Sequence, residues 1–136
     1  MLNIDLHCHS KISDGTLTPT QLVERAAARG VNMLALTDHD DLGGLDEARR
    51  VANEKNIIFI NGVEISVTWR NRTLHIIGLD VDPKYLPLEQ GLAAIRSGRV
   101  TRGNKIAAQL DKFGIQGSLE GAYYYAGEDG LIGRTH

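Results

Sequence analysis

The feature that most constrains this chain is a regular alternation of strand-like and helix-like segments through its first half. Asn3 to His7 alternates apolar and polar residues, as a strand does. Thr18-Pro19 predicts the start of a helix, with an N-cap followed by proline, and Arg29-Gly30 predicts its end. The short apolar run Met33 to Leu36 then predicts a buried parallel strand.

The alternation continues beyond this second strand. Leu45 to Asn53 has helical periodicity, and Ile57 to Ile60 predicts another buried strand. Val63 to Trp69 and Thr73 to Leu79 are two β-rich runs separated by Arg70-Asn71-Arg72, which predicts a hairpin or two strands joined by a tight polar loop. Alternating strands and helices are typical of a parallel α/β sheet or barrel, so we expect an α/β fold.

The chain changes character near residue 86. From Leu86 onward the pattern is helical; we expect interruptions at Gly98 and Gly103 and an end at Gly114. We therefore divide the sequence into a sheet-forming part, residues 1–85, and a mainly helical part, residues 86–136. The second part is predicted to be a helical insertion or the beginning of a longer segment. The total of 136 residues suits one hydrophobic core.

Composition narrows the classes of function. A net charge of -2 argues against a strongly basic nucleic-acid binder, so we expect no duplex DNA partner, although a local phosphate site stays open. The single cysteine, Cys8, cannot form an internal disulfide, which fits a reducing compartment. No stretch approaches the roughly 20 apolar residues that span a bilayer, so we expect no membrane partner and a cytoplasmic location.

Polar residues that can bind metal ions recur where these strands end. His7 and His9 follow the first strand, His39 follows the second, and Glu64 lies just after Ile57 to Ile60. Because the carboxyl ends of parallel strands meet at one edge of a sheet, we expect these side chains to converge. The candidate metal ligands are His7, His9, Asp14, His39, Glu64 and His75.

The residue types in this set indicate which ions would bind. His7 and His9 share one face of an extended segment, so both rings can reach one ion. Imidazole and carboxylate together suit Zn, Mn or Fe, and the lack of clustered cysteines argues against a structural zinc site. The set exceeds one ion's needs, which predicts two or three ions sharing a carboxylate such as Glu64. The alternative is that Asp14 is only a turn residue and His75 a satisfied histidine on a half-buried strand.

Four segments together resemble successive motifs of the polymerase and histidinol phosphatase (PHP) superfamily, over nearly the whole chain. The segments are His7-Cys8-His9-Ser10 with Ser13-Asp14-Gly15, Thr37-Asp38-His39-Asp40, Gly62-Val63-Glu64-Ile65-Ser66 and His75-Ile76-Ile77-Gly78. The later segments Arg96 to Lys112 and Gly133 to His136 are most similar to the branch of nucleoside 3',5'-bisphosphate phosphatases and 5'-to-3' exoribonucleases.

The resemblance implies a fold and an activity. The fold would be the N-terminal part of a distorted (β/α)7 PHP barrel with the start of a helical insertion. The activity would be that of a metal-dependent phosphoesterase with metal-bound water as nucleophile. The substrate would be a 3',5'-bisphosphonucleoside, converted to the nucleoside 5'-monophosphate, or the 5' end of a short RNA. The cofactors would be two or three divalent ions, with Mn foremost and Fe or Zn as alternatives.

The resemblance also implies roles for individual residues. His7 and His9 would hold one ion, Glu64 would bridge it to an ion on His75, and Asp14 with His39 would serve a further one. Arginines of the insertion would bind the other phosphate of the substrate, with a terminal histidine near the metal ions. The candidate substrate-binding residues are Arg99, Arg102, Arg134 and His136.

The candidate arginines also have a simpler interpretation than phosphate binding. The three-residue spacing of Arg96, Arg99 and Arg102 is also that of a solvated helix face. Asp38 and Asp40 are predicted to orient His39 as hydrogen-bond acceptors.

The resemblance also predicts residues that this sequence does not contain. Family members continue with further strands that supply another histidine and a late Asp-x-His pair. We therefore expect this chain to be a fragment that lacks a C-terminal segment, the alternative being that it covers the edge of its sheet in another way. The alternatives to the phosphoesterase hypothesis are a metal- or nucleotide-binding module without turnover, or a PHP phosphatase acting on another substrate such as histidinol phosphate.

Overall fold

The computed structural model describes residues 2–126 and 132, and the expectations for Arg134 and His136 lie outside these residues. Eight elements follow one another along the described chain. They are β1 (Ile4–Cys8), α1 (Pro19–Ala28), β2 (Met33–Leu36), α2 (Leu45–Glu54), β3 (Ile58–Trp69), β4 (Arg72–Leu79), α3 (Leu86–Lys112) and α4 (Ser118–Ala126).

The four strands form one mixed sheet in the order β1-β2-β3-β4. β1, β2 and β3 are parallel, and β4 returns antiparallel to β3. The two helices that connect the parallel strands, α1 and α2, pack against the sheet around a core that includes Val23, Leu34 and Val51. The alternation of strands and helices predicted from the sequence is therefore confirmed, and it places the ends of β1 and β2 side by side.

Helix α1 begins as the sequence predicts. The Thr18 hydroxyl accepts a hydrogen bond from the Gln21 N–H at 3.2 Å, and the Gln21 side chain accepts one from the Thr18 N–H at 3.1 Å. This capping box satisfies two backbone groups that would otherwise lack a partner. It also fixes the point at which the loop after β1 must end.

The predicted strands Ile57 to Ile60 and Val63 to Trp69 are one continuous strand, β3, so the predicted break between them is wrong. Asn61-Gly62 resembles a turn in sequence, but Gly62 instead lets β3 pass close to β2. A Cβ at Gly62 would lie 2.6 Å from Thr37 Cγ2 and 2.8 Å from the Leu36 carbonyl oxygen. The prediction that this segment is buried is also only partly right, because Ile58 is 57% exposed.

The hairpin between β3 and β4 is confirmed. Trp69 pairs with Arg72, and the two residues between them, Arg70 and Asn71, have φ angles of 46° and 62°. Positive φ at both central positions is the requirement of a type I′ turn, whose twist matches that of the strands. The hairpin brings His75 opposite Ser66 on β3.

Helix α3 runs without interruption through Gly98 and Gly103, so the predicted breaks at these glycines are wrong. A glycine inside a helix costs only about 1 kcal/mol relative to alanine, which neighbouring turns can offset. Gly103 also makes room for a neighbour, because a Cβ there would lie 2.6 Å from Ile132 Cδ1. Among the helices of residues 2–126, none is both long enough and apolar enough to cross a membrane.

Candidate metal centre

The site begins where β1 ends. His7 Nε2 lies 2.7 Å from Glu64 Oε2, and His9 Nε2 lies 3.1 Å from the same oxygen. The two ring nitrogens are themselves 3.1 Å apart. Cys8, between them, points the other way and donates its thiol to the Ala35 carbonyl at 3.2 Å. The expected common direction of the two histidine rings is confirmed.

His39 joins this group from the end of β2. It forms an isolated parallel bridge with Glu64, and its ring stacks on that of His9 with centroids 4.7 Å apart. Asp14 approaches both rings: its carboxylate oxygens lie 3.7 Å from His9 Nδ1 and 3.6 Å from His39 Nε2. The loop after β1 and the end of β2 therefore face each other across the site.

Glu64 is the centre of the cluster, although it lies inside β3 rather than after it. Its side chain is only 8% exposed, and His75 Nδ1 on β4 lies 2.8 Å from Glu64 Oε1. His39 Nδ1 lies 3.8 Å from that oxygen. All six candidate ligands are thus brought together, four of them histidines arranged around one carboxylate.

Their atoms fall into three overlapping groups in which the potential ligand atoms lie within 4.8 Å of one another. The groups are His7–His9–Glu64, His9–Asp14–His39 and His39–Glu64–His75.

Two buried nitrogens in this cluster test whether the residues fit metal ions. His9 Nδ1 and His39 Nδ1 are buried and make no hydrogen bond within the described part of the chain. Buried polar atoms are nearly always hydrogen-bonded, so such atoms in a cluster of ligands call for a partner closer than the carboxylates that the described residues place 3.7 and 3.8 Å away. Nitrogen and carboxylate oxygen are the donor atoms that Mn, Fe and Zn accept. The residues present therefore fit divalent ions.

The ionisation of His39 and Glu64 also suits the binding of divalent ions. Burial lowers the pKa of His39, which favours the neutral imidazole, although Glu64 and Asp14 act in the opposite direction. Burial alone would raise the pKa of Glu64, but the hydrogen bond from His7 and the nearby His39 and His9 lower it overall. A neutral imidazole beside an ionised carboxylate is the state that binds a cation.

The two aspartates that flank His39 differ from expectation, because their hydrogen bonds do not go to the His39 ring. Asp38 is 1% exposed and accepts hydrogen bonds from Ser10 and Ser13 in the loop after β1. The prediction that Asp38 orients His39 is therefore wrong. The sequence did not single out the two serines as partners, because they lie 28 and 25 residues from Asp38 and nothing in the local pattern marks them.

Asp40 is fully buried and lies on the other side of His39. One of its oxygens accepts the Ser66 N–H at 2.6 Å, and the other forms an ion pair with Arg99 of α3. Asp40 has a positive φ of 54°, an uncommon conformation for a residue other than glycine. Its contacts tie α3 to β3, so the prediction that it orients His39 is also wrong.

A cleft of about 520 Å³ opens beside the cluster and extends along α3 toward α4. Asp14, His39 and His75 line one end, with Arg99 and Arg102 beside them. The other end is mainly apolar: besides the Ser118 hydroxyl, it is lined by Ile106, Ala107, Leu110, Leu119, Ala122 and Ile132. Both described candidate arginines therefore border the cavity that reaches the histidines.

The two arginines differ in their surroundings. Arg99 is largely buried by its ion pair with Asp40, with 12% of its side chain exposed. Arg102 lies almost one helical turn further along α3 and is exposed.

The family model of the PHP domain matches residues 5–117. The whole chain is 50% identical to the 3',5'-nucleoside bisphosphate phosphatase of Chromobacterium violaceum, covering 48% of that protein. It is 48% identical over 135 residues to a 5'-3' exoribonuclease of Haemophilus influenzae, covering 47% of it. The chain thus spans about half the length of these relatives.

Solved structures agree with the sequence matches. A structure of an amidohydrolase from Chromobacterium violaceum, with bound sulfate and no metal, superposes with a TM-score of 0.93 at 50% identity, over 98% of this chain and 47% of that one. A metal-dependent phosphoesterase structure from Bifidobacterium adolescentis gives a TM-score of 0.84 at 31% identity, over the same shares of the two chains. The mixed sheet with its helices thus matches about half of each of these solved chains, and the chain belongs to the PHP domain family.

Proposed function

We propose that this chain provides the metal-binding end of a phosphoesterase that hydrolyses a phosphate monoester of a nucleotide. The observation that carries the proposal is the convergence of four histidines on the buried carboxylate of Glu64, with Asp14 against two of these histidines, beside a cleft bordered by two arginines. Residues 1–85 would carry the barrel part of the site and residues 86–136 the insertion that borders the substrate.

Two or three divalent ions would be held by the three overlapping groups of ligands. His7 and His9 would share one ion with Glu64, and His39 with His75 would share another with the same carboxylate. Asp14 would complete a third group with His9 and His39. Such ions would lower the pKa of a bound water and neutralise charge on a phosphoryl group. Mn is our first choice among them, with Fe and Zn as alternatives.

The protein's own residues would bind and orient the substrate. Arg102 is exposed at the cleft and makes no ion pair within the described residues, so it can offer its guanidinium to a phosphate. Arg99 faces the same cleft from its ion pair with Asp40, and would add a fixed positive charge. Arg134 and His136 remain proposed substrate ligands.

A substrate with two phosphates fits this arrangement best. One phosphate would reach the histidine end of the cleft while the arginines bind the other, and the apolar end can cover a base or sugar. The names of the two relatives support the same class: one is a 3',5'-nucleoside bisphosphate phosphatase and the other a 5'-3' exoribonuclease. We propose a 3',5'-bisphosphonucleoside, released as the nucleoside 5'-monophosphate, and the 5' end of short RNA as a second substrate.

Phosphate release with each ion supplied in turn tests this function. The chain, loaded with Mn, Fe or Zn, is incubated with adenosine 3',5'-bisphosphate, a 5'-phosphorylated short RNA and histidinol phosphate. Release of the 3' phosphate alone from the bisphosphonucleoside supports the proposal. Release from histidinol phosphate alone would instead favour a different PHP phosphatase. Full metal occupancy without any release would show that this chain by itself is a binding module without turnover.

A further inference from the structure

The carboxylate of Asp38 is buried in the middle of the sheet's carboxyl edge and is bound entirely by the loop that follows β1. Its Oδ1 accepts the Ser10 N–H at 2.7 Å and the Ser13 hydroxyl at 2.6 Å, and its Oδ2 accepts the Ser10 hydroxyl at 2.6 Å. Ser10 is fully buried and Ser13 is 5% exposed. Hydrogen bonds to an ionised acceptor are roughly twice as strong as neutral ones, so these three contacts hold the loop firmly.

This loop carries two of the candidate ligands at its two ends. Ser10 directly follows His9, and Ser13 directly precedes Asp14. The loop is also closed on itself, since the Ser13 and Gly15 N–H groups both donate to the Ser10 carbonyl, at 3.1 and 2.9 Å. A Cβ at Gly15 would lie 2.2 Å from the His9 carbonyl oxygen, so only glycine fits there. Fixing the two serines therefore fixes His9 and Asp14.

Asp38 also lies next to the candidate ligands that β2 and β3 contribute. The residue that follows it is His39, and its own carbonyl oxygen accepts the Glu64 N–H at 3.1 Å. One residue thus connects the loop after β1 with the end of β2 and the middle of β3. An isolated buried carboxylate costs several kcal/mol, and Asp38 has no ion pair within residues 2–126, so these hydrogen bonds alone must offset that cost.

We propose that Asp38 is a positioning residue for the ion held by His9, Asp14 and His39. It holds the Ser10–Gly15 loop so that His9 and Asp14 face His39 before any ion binds. The proposal rests on the metal centre proposed above. It assigns Asp38 to the ligands of the neighbouring loop rather than to the ring of His39.

Two variants and one control test this role. Asp38→Asn keeps the shape of the side chain but removes its charge, and Ser13→Ala removes one hydrogen bond from the loop side without touching Asp38 itself. Asp40→Asn is the control, because Asp40 is equally buried but binds Ser66 and Arg99 rather than the loop. Amide hydrogen exchange is measured in the ion-free chain. Titration with Mn measures the affinity for each of the Mn ions that bind.

The proposal predicts a local effect in both readouts. In Asp38→Asn and Ser13→Ala, exchange of the Ser13 and Gly15 amides should accelerate at least about tenfold, while that of Val51 in α2 stays unchanged. The weakest-held ion should bind about 10- to 100-fold less tightly, with the remaining ions retained. In Asp40→Asn, exchange should instead accelerate at Ser66, and the loop amides should keep their wild-type rates.

Several results would overturn it. Unchanged loop exchange in both variants would do so, as would faster loop exchange with unchanged affinity for every ion. If Asp38→Asn fails to fold, Ser13→Ala decides alone. If the wild-type chain takes up no ion, the proposed metal centre fails, and loop exchange in the ion-free variants still decides whether Asp38 positions His9 and Asp14.

Discussion

The strand ends and the long helix α3 contribute to the same cleft in different ways. At the strand ends the buried carboxylate of Asp38 binds the loop that carries His9 and Asp14, and Glu64 at the centre of the candidate ligands is almost fully enclosed. Along α3 one arginine is fixed by Asp40, while Arg102 is exposed and has no ion pair within the described residues. The comparison indicates that the end of the cleft proposed to bind metal ions is held in place by the protein itself, whereas part of the end proposed to bind phosphate stays adjustable.

The largest effect should come from the centre of the strand-end cluster. Glu64→Gln removes the carboxylate that two of the three ligand groups share. We expect Mn affinity to fall by more than about 100-fold, beyond the 10- to 100-fold that loss of a supporting residue costs. Titration with Mn measures this. Glu54→Gln, at an exposed carboxylate of α2 paired with Arg50, is the matched control and should bind Mn as the wild type does.

The two arginines of α3 should respond differently to removal. Arg99→Ala leaves buried Asp40 without its cation, so we expect the free energy of unfolding to fall by about 3 kcal/mol. Arg102→Ala should leave stability within about 0.5 kcal/mol, as surface substitutions do, but weaken binding of a bisphosphonucleoside about tenfold through a lost charged hydrogen bond. Urea denaturation and ligand titration separate the two effects. Equal stability losses in both variants would remove the distinction between a fixed and an adjustable arginine.

Acid should lower the stability of the ion-free chain, because protons bind to the strand-end cluster more readily in the unfolded state. The folded-state pKa of His39 is lowered from 6.5 and that of Glu64 from 4.5, so the native state binds fewer protons than the unfolded chain. Stability of the ion-free chain should therefore fall as pH drops, first below about 6.5 through His39 and then below about 4.5 through Glu64. Urea denaturation between pH 7.5 and 4 measures this fall. Stability that rises over this range would contradict the assigned ionisation.

The smallest effect concerns the glycines of α3. Gly98→Ala meets no atom within 4 Å, so it should stabilise the protein by about 0.5 to 1 kcal/mol through helix propensity. Gly103→Ala should gain less, because its Cβ would lie 2.6 Å from Ile132 Cδ1. Thermal unfolding of the two variants compares them. A larger gain at Gly103 would show that Ile132 does not restrict that position.

The sequence predicted most of the helices and strands because their starts and turns depend on residues that are neighbours in the chain. The Thr18-Pro19 helix start and the Arg70-Asn71 turn depend on neighbouring residues, and both are present. The two strands predicted over Ile57 to Ile60 and Val63 to Trp69 are one for a tertiary reason, because Gly62 between them accommodates β2 rather than a turn. Gly103 likewise accommodates Ile132 within a continuous helix.

The site followed the same rule. Strand-end spacing predicted that His7, His9 and His39 would converge, since parallel topology brings the ends of β1 and β2 together. Glu64 joins them from inside β3, and His75 from the antiparallel strand β4. The spacing could not predict what holds these side chains there. The partners of Asp38 lie 25 and 28 residues away, and the cation that binds Asp40 lies 59 residues away on another element.

Metal stoichiometry tests the central claim most directly. The ion-free chain is titrated with Mn and the bound ions are counted by elemental analysis, in the wild type and in His9→Ala, because His9 belongs to two of the three ligand groups. We predict two or three ions per wild-type chain and a loss of at least one in His9→Ala. Less than one ion per wild-type chain, or an unchanged count in His9→Ala, would contradict the proposal that these side chains form a metal centre.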